Sequence, residues 1–219
     1  MKNYESFLEK NRKLTRNNIN KLILKQGETR KVVVLSDELT VREIHQFQDG
    51  DRFKIARCFK ESGLEYCMLC GFLPRDNGQQ PKAVALIPIC DLTKVADKNG
   101  NIWERQRRYI IAKKYLVDKF KRKSDKRKAE GHQEGLKGCV LELSRSSKNQ
   151  IIDDMEILGE ITSEELNSAE FQPINFDEVA ELNYLNENDA IQLISKYANP
   201  DEIKDTLKQY GIIDKTIPF

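Results

Sequence analysis

Four side chains in the first third of the chain have the types and spacing of a metal site. Cys67-Met-Leu-Cys70 is a Cys-x2-Cys knuckle, which lets two thiolates meet one tetrahedral Zn²⁺ at a tight turn. Cys58 lies eight intervening residues upstream, and His45 twelve further upstream. The set reads His45-x12-Cys58-x8-Cys67-x2-Cys70. One His and three Cys complete a closed structural site, with no open position for catalysis. Cys90 is an alternative fourth ligand, although its apolar neighbours suggest a buried strand. The competing reading is of buried thiols beside a surface histidine. Cys139, between Gly138 and Val140-Leu141, reads as a core residue, and His132 as a solvated loop residue. A redox Cys-x2-Cys would need a thioredoxin-like βαβ context, and residues 60–75 do not provide one.

A second constellation is basic and aromatic. Residues 103–128 hold twelve Lys or Arg among 26 positions, with Trp103, Tyr109, Tyr115 and Phe120 interleaved. Cations neutralise phosphates, and aromatic faces stack on unpaired bases. The pattern therefore points to a single-stranded nucleic acid. Trp103, Arg105, Arg107, Arg108 and Tyr109 would act from an extended segment. Lys113, Lys114, Lys121, Arg122 and Lys123 would act from the helix that follows, and Arg52, Lys54 and Arg57 from a second basic row. Tyr115, Leu116 and Phe120 fit equally well as the buried stripe of that helix.

Catalytic signatures are missing. The chain has no Gly-x4-Gly-Lys-Ser/Thr loop, no Gly-x-Gly-x-x-Gly and no His-Glu-x-x-His, and only two histidines. Asp153-Asp154 reads as a turn or a solvated pair before a strand rather than a nuclease metal site. The expectation is a binding protein, not an enzyme.

The elements that position these groups can be sketched from pattern. The 219 residues suit one ordinary domain plus an appendage, or two small ones. A net charge of +2 hides a split. Residues 1–150 carry 33 basic and 19 acidic side chains, and residues 151–219 carry 4 and 16. A basic body with an acidic C-terminal part suits a polyanion ligand, with the acidic part competing for it or recruiting a basic partner. Residues 1–25 read as a basic amphipathic arm. Residues 26–161 read as a core of five or six short strands. These include Lys31–Leu35, Thr40–Phe47, Arg52–Phe59, Ala83–Cys90, Gly138–Ser144 and Met155–Ile161. Asp49-Gly50-Asp51 marks a hairpin turn, residues 58–82 a zinc-bearing loop, and Lys113–Glu130 a helix. Residues 162–219 read as acidic and helical, with helices at Phe176–Leu182, Glu187–Tyr197 and Pro200–Tyr210. The expected fold is mainly β with α additions, built on an OB-like barrel. No apolar run reaches the roughly 18 residues of a membrane helix. Met1-Lys-Asn-Tyr-Glu5 has no apolar leader. Five cysteines then suggest reduced thiols or a metal in a cytoplasmic protein.

The His-x12-Cys-x8-Cys-x2-Cys order resembles the zinc subdomain of phage single-stranded DNA-binding proteins of the T-even helix-destabilising type, which have nine residues where this chain has eight. Ala83-Val-Ala-Leu-Ile-Pro-Ile-Cys-Asp91 and Gly138-Cys-Val-Leu-Glu-Leu-Ser-Arg145 also look like segments of that family. The resemblance covers residues 26–161, and the flanks in charge alone. It implies an OB-fold with structural Zn²⁺ that coats single-stranded DNA in replication, recombination or repair. It also implies a basic arm that promotes self-association along the strand, and an acidic part that recruits replication or recombination proteins. For a phage protein the compartment would be the host cytoplasm. The final Ile217-Pro218-Phe219, after Thr216, resembles the partner-docking tip of bacterial single-stranded DNA-binding proteins. The alternative expectation is a zinc-stabilised adaptor that acts mainly through protein contacts.

Overall fold

The protein was analysed as a computed structural model, which describes residues 19–210 except 64, 97–99, 101, 147–151, 180–181, 183 and 186. The basic arm up to residue 18 and the tip Ile217-Pro218-Phe219 lie outside the described residues.

The described strands are β1 (Asn20–Lys21), β2 (Thr29–Val34), β3 (Thr40–Asp49), β4 (Arg52–Arg57), β5 (Lys82–Asp91), β6 (Val95–Ala96), β7 (Ile102–Trp103), β8 (Gln106–Ala112), β9 (Cys139–Ser144) and β10 (Asp154–Glu160). The helices are α1 (Met68–Phe72), α2 (Lys114–Ala129), α3 (Ser163–Leu166), α4 (Glu187–Ile194) and α5 (Pro200–Gln209). The chain forms two bodies. One comprises Met1–Thr40 with Ala85–Val179, the other Val41–Val84 with Ala180–Phe219. The expected boundary at residue 162 therefore falls inside the first body.

The first body is a sheet in the order β1-β8-β5-β2-β9-β10. Val33 sits between Cys90 and Val140, which fixes β2 at the centre. Among the described residues β1 and β10 end this path and do not pair, so the sheet is open. The expected OB-like barrel is corrected to a mixed α/β fold with an unclosed sheet. Closure depends on which distant strand edges meet, and alternation along one strand carries no record of that.

Helix α2 covers one face of this sheet. Leu116 and Phe120 are buried one turn apart and pack with Ile87, Ile110 and Leu141. The alternative reading of Leu116 and Phe120 as an apolar stripe is the one observed, while Tyr115, partly buried, donates its hydroxyl to the Ile152 carbonyl. The far end of α2 is pinned by Asp37, which accepts from Ser124 Oγ at 2.8 Å and Leu136 N at 2.9 Å and pairs with Lys128.

Residues 168–179 also belong to this body. Phe171, Ile174, Phe176 and Val179 are buried, and the Phe176 ring meets Tyr109 edge-on at 5.9 Å. The helix expected over Phe176–Leu182 is a short 3-10 turn, Phe176–Glu178, at whose start the Asn175 side chain accepts from Asp177 N at 3.2 Å. This acidic stretch is anchored by apolar side chains, and so burial rather than charge sets its place.

In the second body β3 and β4 form the expected hairpin, in register from Asp49↔Arg52 to Ile44↔Arg57. On β4 it is Ala56 that is fully buried, and Ile55 is only half-buried. Loop 58–82 is more structured than its Gly-Pro content suggests. It carries a 3-10 turn, Phe59–Ser62, and the five-residue α1. Helix α5 starts where Asn199-Pro200 places it, with Asn199 Oδ1 accepting from Asp201 N at 2.9 Å.

Candidate metal centre

His45 projects from the middle of β3 and is completely buried. Cys58 follows β4, Cys67 precedes α1, and Cys70 lies within α1. Their ligand atoms all lie within 4.8 Å of one another. Cys58 Sγ is 3.8 Å from Cys70 Sγ. His45 Nε2 is 3.4 Å from Cys67 Sγ and 3.7 Å from Cys70 Sγ. A tetrahedral Zn²⁺ with bonds of about 2.3 Å to sulfur and about 2.0 Å to nitrogen sets S···S edges of about 3.8 Å and S···N edges of about 3.5 Å. These three edges match those values, so the four groups could hold a metal ion such as zinc.

The surroundings orient the ligands. His45 Nδ1 donates to the Gly78 carbonyl at 2.8 Å, which turns Nε2 toward the thiols. Gly78 is held there by its neighbour. Asn77 accepts from Gln48 N at 2.7 Å and donates to Gln48 O at 3.1 Å, clipping the loop to β3. Cys58 is fixed by its own N–H, which donates to Glu43 O at 2.8 Å.

Electrostatics favour a cation at this point. The hydrogen bond from Cys70 is the main cause that brings the Cys67 thiol down to about 3, aided by His45 and the N–H groups of Cys70 and Phe59 against the cost of burial. The same contact with Cys67 pushes Cys70 up, and burial pushes Cys58 up. Three sulfurs and one imidazole nitrogen converge here. A divalent ion compensates all three, which is how thiolate ligands are normally stabilised. Cys90 is not part of the cluster. It lies on β5 opposite Val33 and Arg107, and burial pushes its thiol up to about 12.

The nucleic-acid candidates divide into engaged and solvent-facing groups. Tyr109 is fully buried. Its expected stacking on a base is corrected: no face of the ring is open to a ligand. Arg108 is half-buried, donates to Gln106 Oε1 at 2.5 Å and lies 3.5 Å from the buried Asp91 carboxylate, which also holds Arg30. Arg107 donates to the Pro173 carbonyl at 3.4 Å. Arg57 pairs with Glu61 at 3.0 Å and lies over the Tyr184 ring. Lys54 pairs with Asp49 at 2.6 Å and Lys114 with Asp118 at 2.8 Å. Arg52 lies on β4 and Trp103 on β7. Arg105 is exposed, with φ +54° and its guanidinium 5.7 Å from the Phe171 ring centroid. Lys113, Lys121 and Arg122 are exposed, and Lys123 is half-buried.

Gly78, Tyr66 and Tyr210 also shape the metal loop and were not singled out in the sequence. The dipeptide Asn77-Gly78 is by type a turn signal. No model of a known protein family matches this chain, and no curated protein matches its sequence.

Proposed function

We propose that this protein is a zinc-stapled single-stranded DNA-binding protein without chemistry of its own. The observation that supports it most is the division of cations on α2. Lys114, Lys119, Lys126, Arg127 and Lys128 pair with the protein's own carboxylates. Among the described residues Lys113, Lys121 and Arg122 make no ion pair and face solvent. Cations left without an internal carboxylate partner suit phosphate neutralisation, which is the main source of sequence-independent affinity; Arg122 makes only a backbone contact, its Nε donating to the Asp118 carbonyl at 3.3 Å. Arg105, exposed in a left-handed turn that only Gly adopts freely, extends this basic set to the start of β8. Zn²⁺ at His45, Cys58, Cys67 and Cys70 would brace the loop. Self-association along the strand and recruitment of replication or recombination proteins through residues 162–219 complete the proposal.

The test is a fluorescence titration of Trp103 with oligo-dT at two salt concentrations, with zinc assayed on the same sample. The expected result is salt-weakened quenching, with a slope of about −0.7 per phosphate contacted, and one zinc per chain. Absence of binding at low salt by folded protein would overturn the reading. It would favour a zinc-stabilised adaptor, to which the exposed Asp201, Glu202 and Asp205 of α5 are suited.

A further inference from the structure

Helices α4 and α5 have no core of their own. Ala190 and Ile194 of α4, with Ile203 of α5, are buried together with Cys58, Cys67 and Leu69 of the metal loop. Two aromatic stacks fall beside two of the ligands. Tyr184 lies on Phe59, the residue after Cys58, with centroids 5.4 Å apart and planes at 29°. Tyr210 lies on Tyr66, the residue before Cys67, at 4.2 Å and 9°. Polar ties repeat the arrangement. Asn77, whose side chain clips the Gly78 loop, also donates to the Tyr197 hydroxyl at 3.1 Å, and Lys196 donates to Asp49 at 2.5 Å.

These helices cannot stand alone. They are 8 and 10 residues long, and isolated helices shorter than about 12–15 residues are marginal in water. The metal loop is equally dependent. Its regular structure is one 3-10 turn and one five-residue helix, and no disulfide joins its cysteines. Each half lacks the means to hold itself, and each covers the other.

We propose that the metal centre and α4–α5 are one folding unit, so that bound metal holds residues 184–210 on the loop and loss of metal releases them. The chain beyond Tyr210 would then be presented from a fixed point in the metal-loaded protein and from a free strand in the metal-free one. Linkage makes the effect reciprocal: the helices strengthen metal binding by the factor with which the metal strengthens their docking. This inference rests on the metal reading of the His45 cluster and is independent of strand binding.

The experiment uses the full chain, reduced and loaded with zinc, and the same sample after chelation. Amide hydrogen exchange is followed for α4 and α5, with α2 of the other body as the internal reference. The expected result is a fall of about ten-fold or more in protection across α4 and α5, with α2 unchanged. In a second arm, Tyr184→Leu and Tyr210→Leu are assayed for zinc transfer to a chromophoric chelator. Each lost stack is expected to speed release by about five-fold. Zinc uptake with α4–α5 protection indifferent to its removal would overturn this inference alone. Release rates unchanged in both variants would do the same. A folded, reduced chain that takes up no zinc would overturn it together with the metal reading.

Discussion

His45 Nδ1 stands 2.8 Å from the carbonyl oxygen of Gly78. A carbonyl can only accept, so Nδ1 carries a proton, and the ring is turned so that Nε2 is the atom that faces Cys67 and Cys70. Gly78 reaches this place because it has φ +88° and no side chain. A Cβ there would overlap the Gln46 carbonyl on β3.

Gly78→Ala is therefore expected to weaken metal binding without touching a ligand. Loss of the group that orients a histidine ligand typically costs 10–100-fold in affinity. Competition against a chromophoric chelator measures this. A folded variant with unchanged affinity would show that the carbonyl does not set the imidazole.

Cysteine replacement separates the ligands from the other thiols. Cys70→Ala is expected to abolish stoichiometric zinc uptake, since it removes the partner of both Cys58 and Cys67. Cys90→Ala is expected to retain one zinc per chain, with a stability loss of about 1 kcal/mol for the small volume removed. Metal analysis of the purified variants decides it. Full loss in Cys90→Ala would move the fourth ligand to β5.

Asp37 gives the first body a defined response to acid. Burial alone would raise its pKa, but Lys128, Leu136 N–H and Ser124 together outweigh it and hold the carboxyl below its ordinary value. A depressed carboxylate adds stability that is complete above the unfolded value, about 3.9. That stability is lost as pH falls through the lower folded value. The wild type should therefore lose stability in that window, and Asp37→Asn should show a flatter profile there, seen as urea midpoints against pH. Gly135→Ala should mimic the loss at neutral pH, because a Cβ at its φ of +58° would overlap Asp37 and Ser124.

The metal cluster was legible because coordination chemistry restricts residue types and the Cys-x2-Cys spacing is local. The β3–β4 hairpin was legible from Asp49-Gly50-Asp51, whose turn chemistry is also local. The failures were all long-range. Strand alternation did not reveal that β1 and β10 leave the sheet open. Tyr109 sat among arginines and read as a stacking ring, because its cover, Phe176, comes from 67 residues further along. Phe171, Ile174 and Phe176 follow no regular period, so an anchored layer was read as part of an acidic helical region with a helix from Phe176.

The same contrast separates binding from packing on the basic segment. Tyr109→Leu removes a buried ring and its edge-on contact with Phe176, so it should destabilise by roughly 1–3 kcal/mol. It should leave oligo-dT affinity unchanged wherever the variant is folded. Lys121→Glu with Arg122→Glu should do the reverse. Both side chains are exposed and without an ion pair among the described residues, so stability should change by less than about 0.5 kcal/mol. If each neutralises one phosphate, the salt slope should fall by about 0.7 per residue. Binding should also weaken most at low salt, where the electrostatic contribution is largest. Titrations at several salt concentrations, beside urea melts, measure both quantities on the same samples. A charge-reversed protein with the wild-type salt slope would remove α2 from the binding surface. A folded Tyr109→Leu protein that no longer binds would return the aromatic to it.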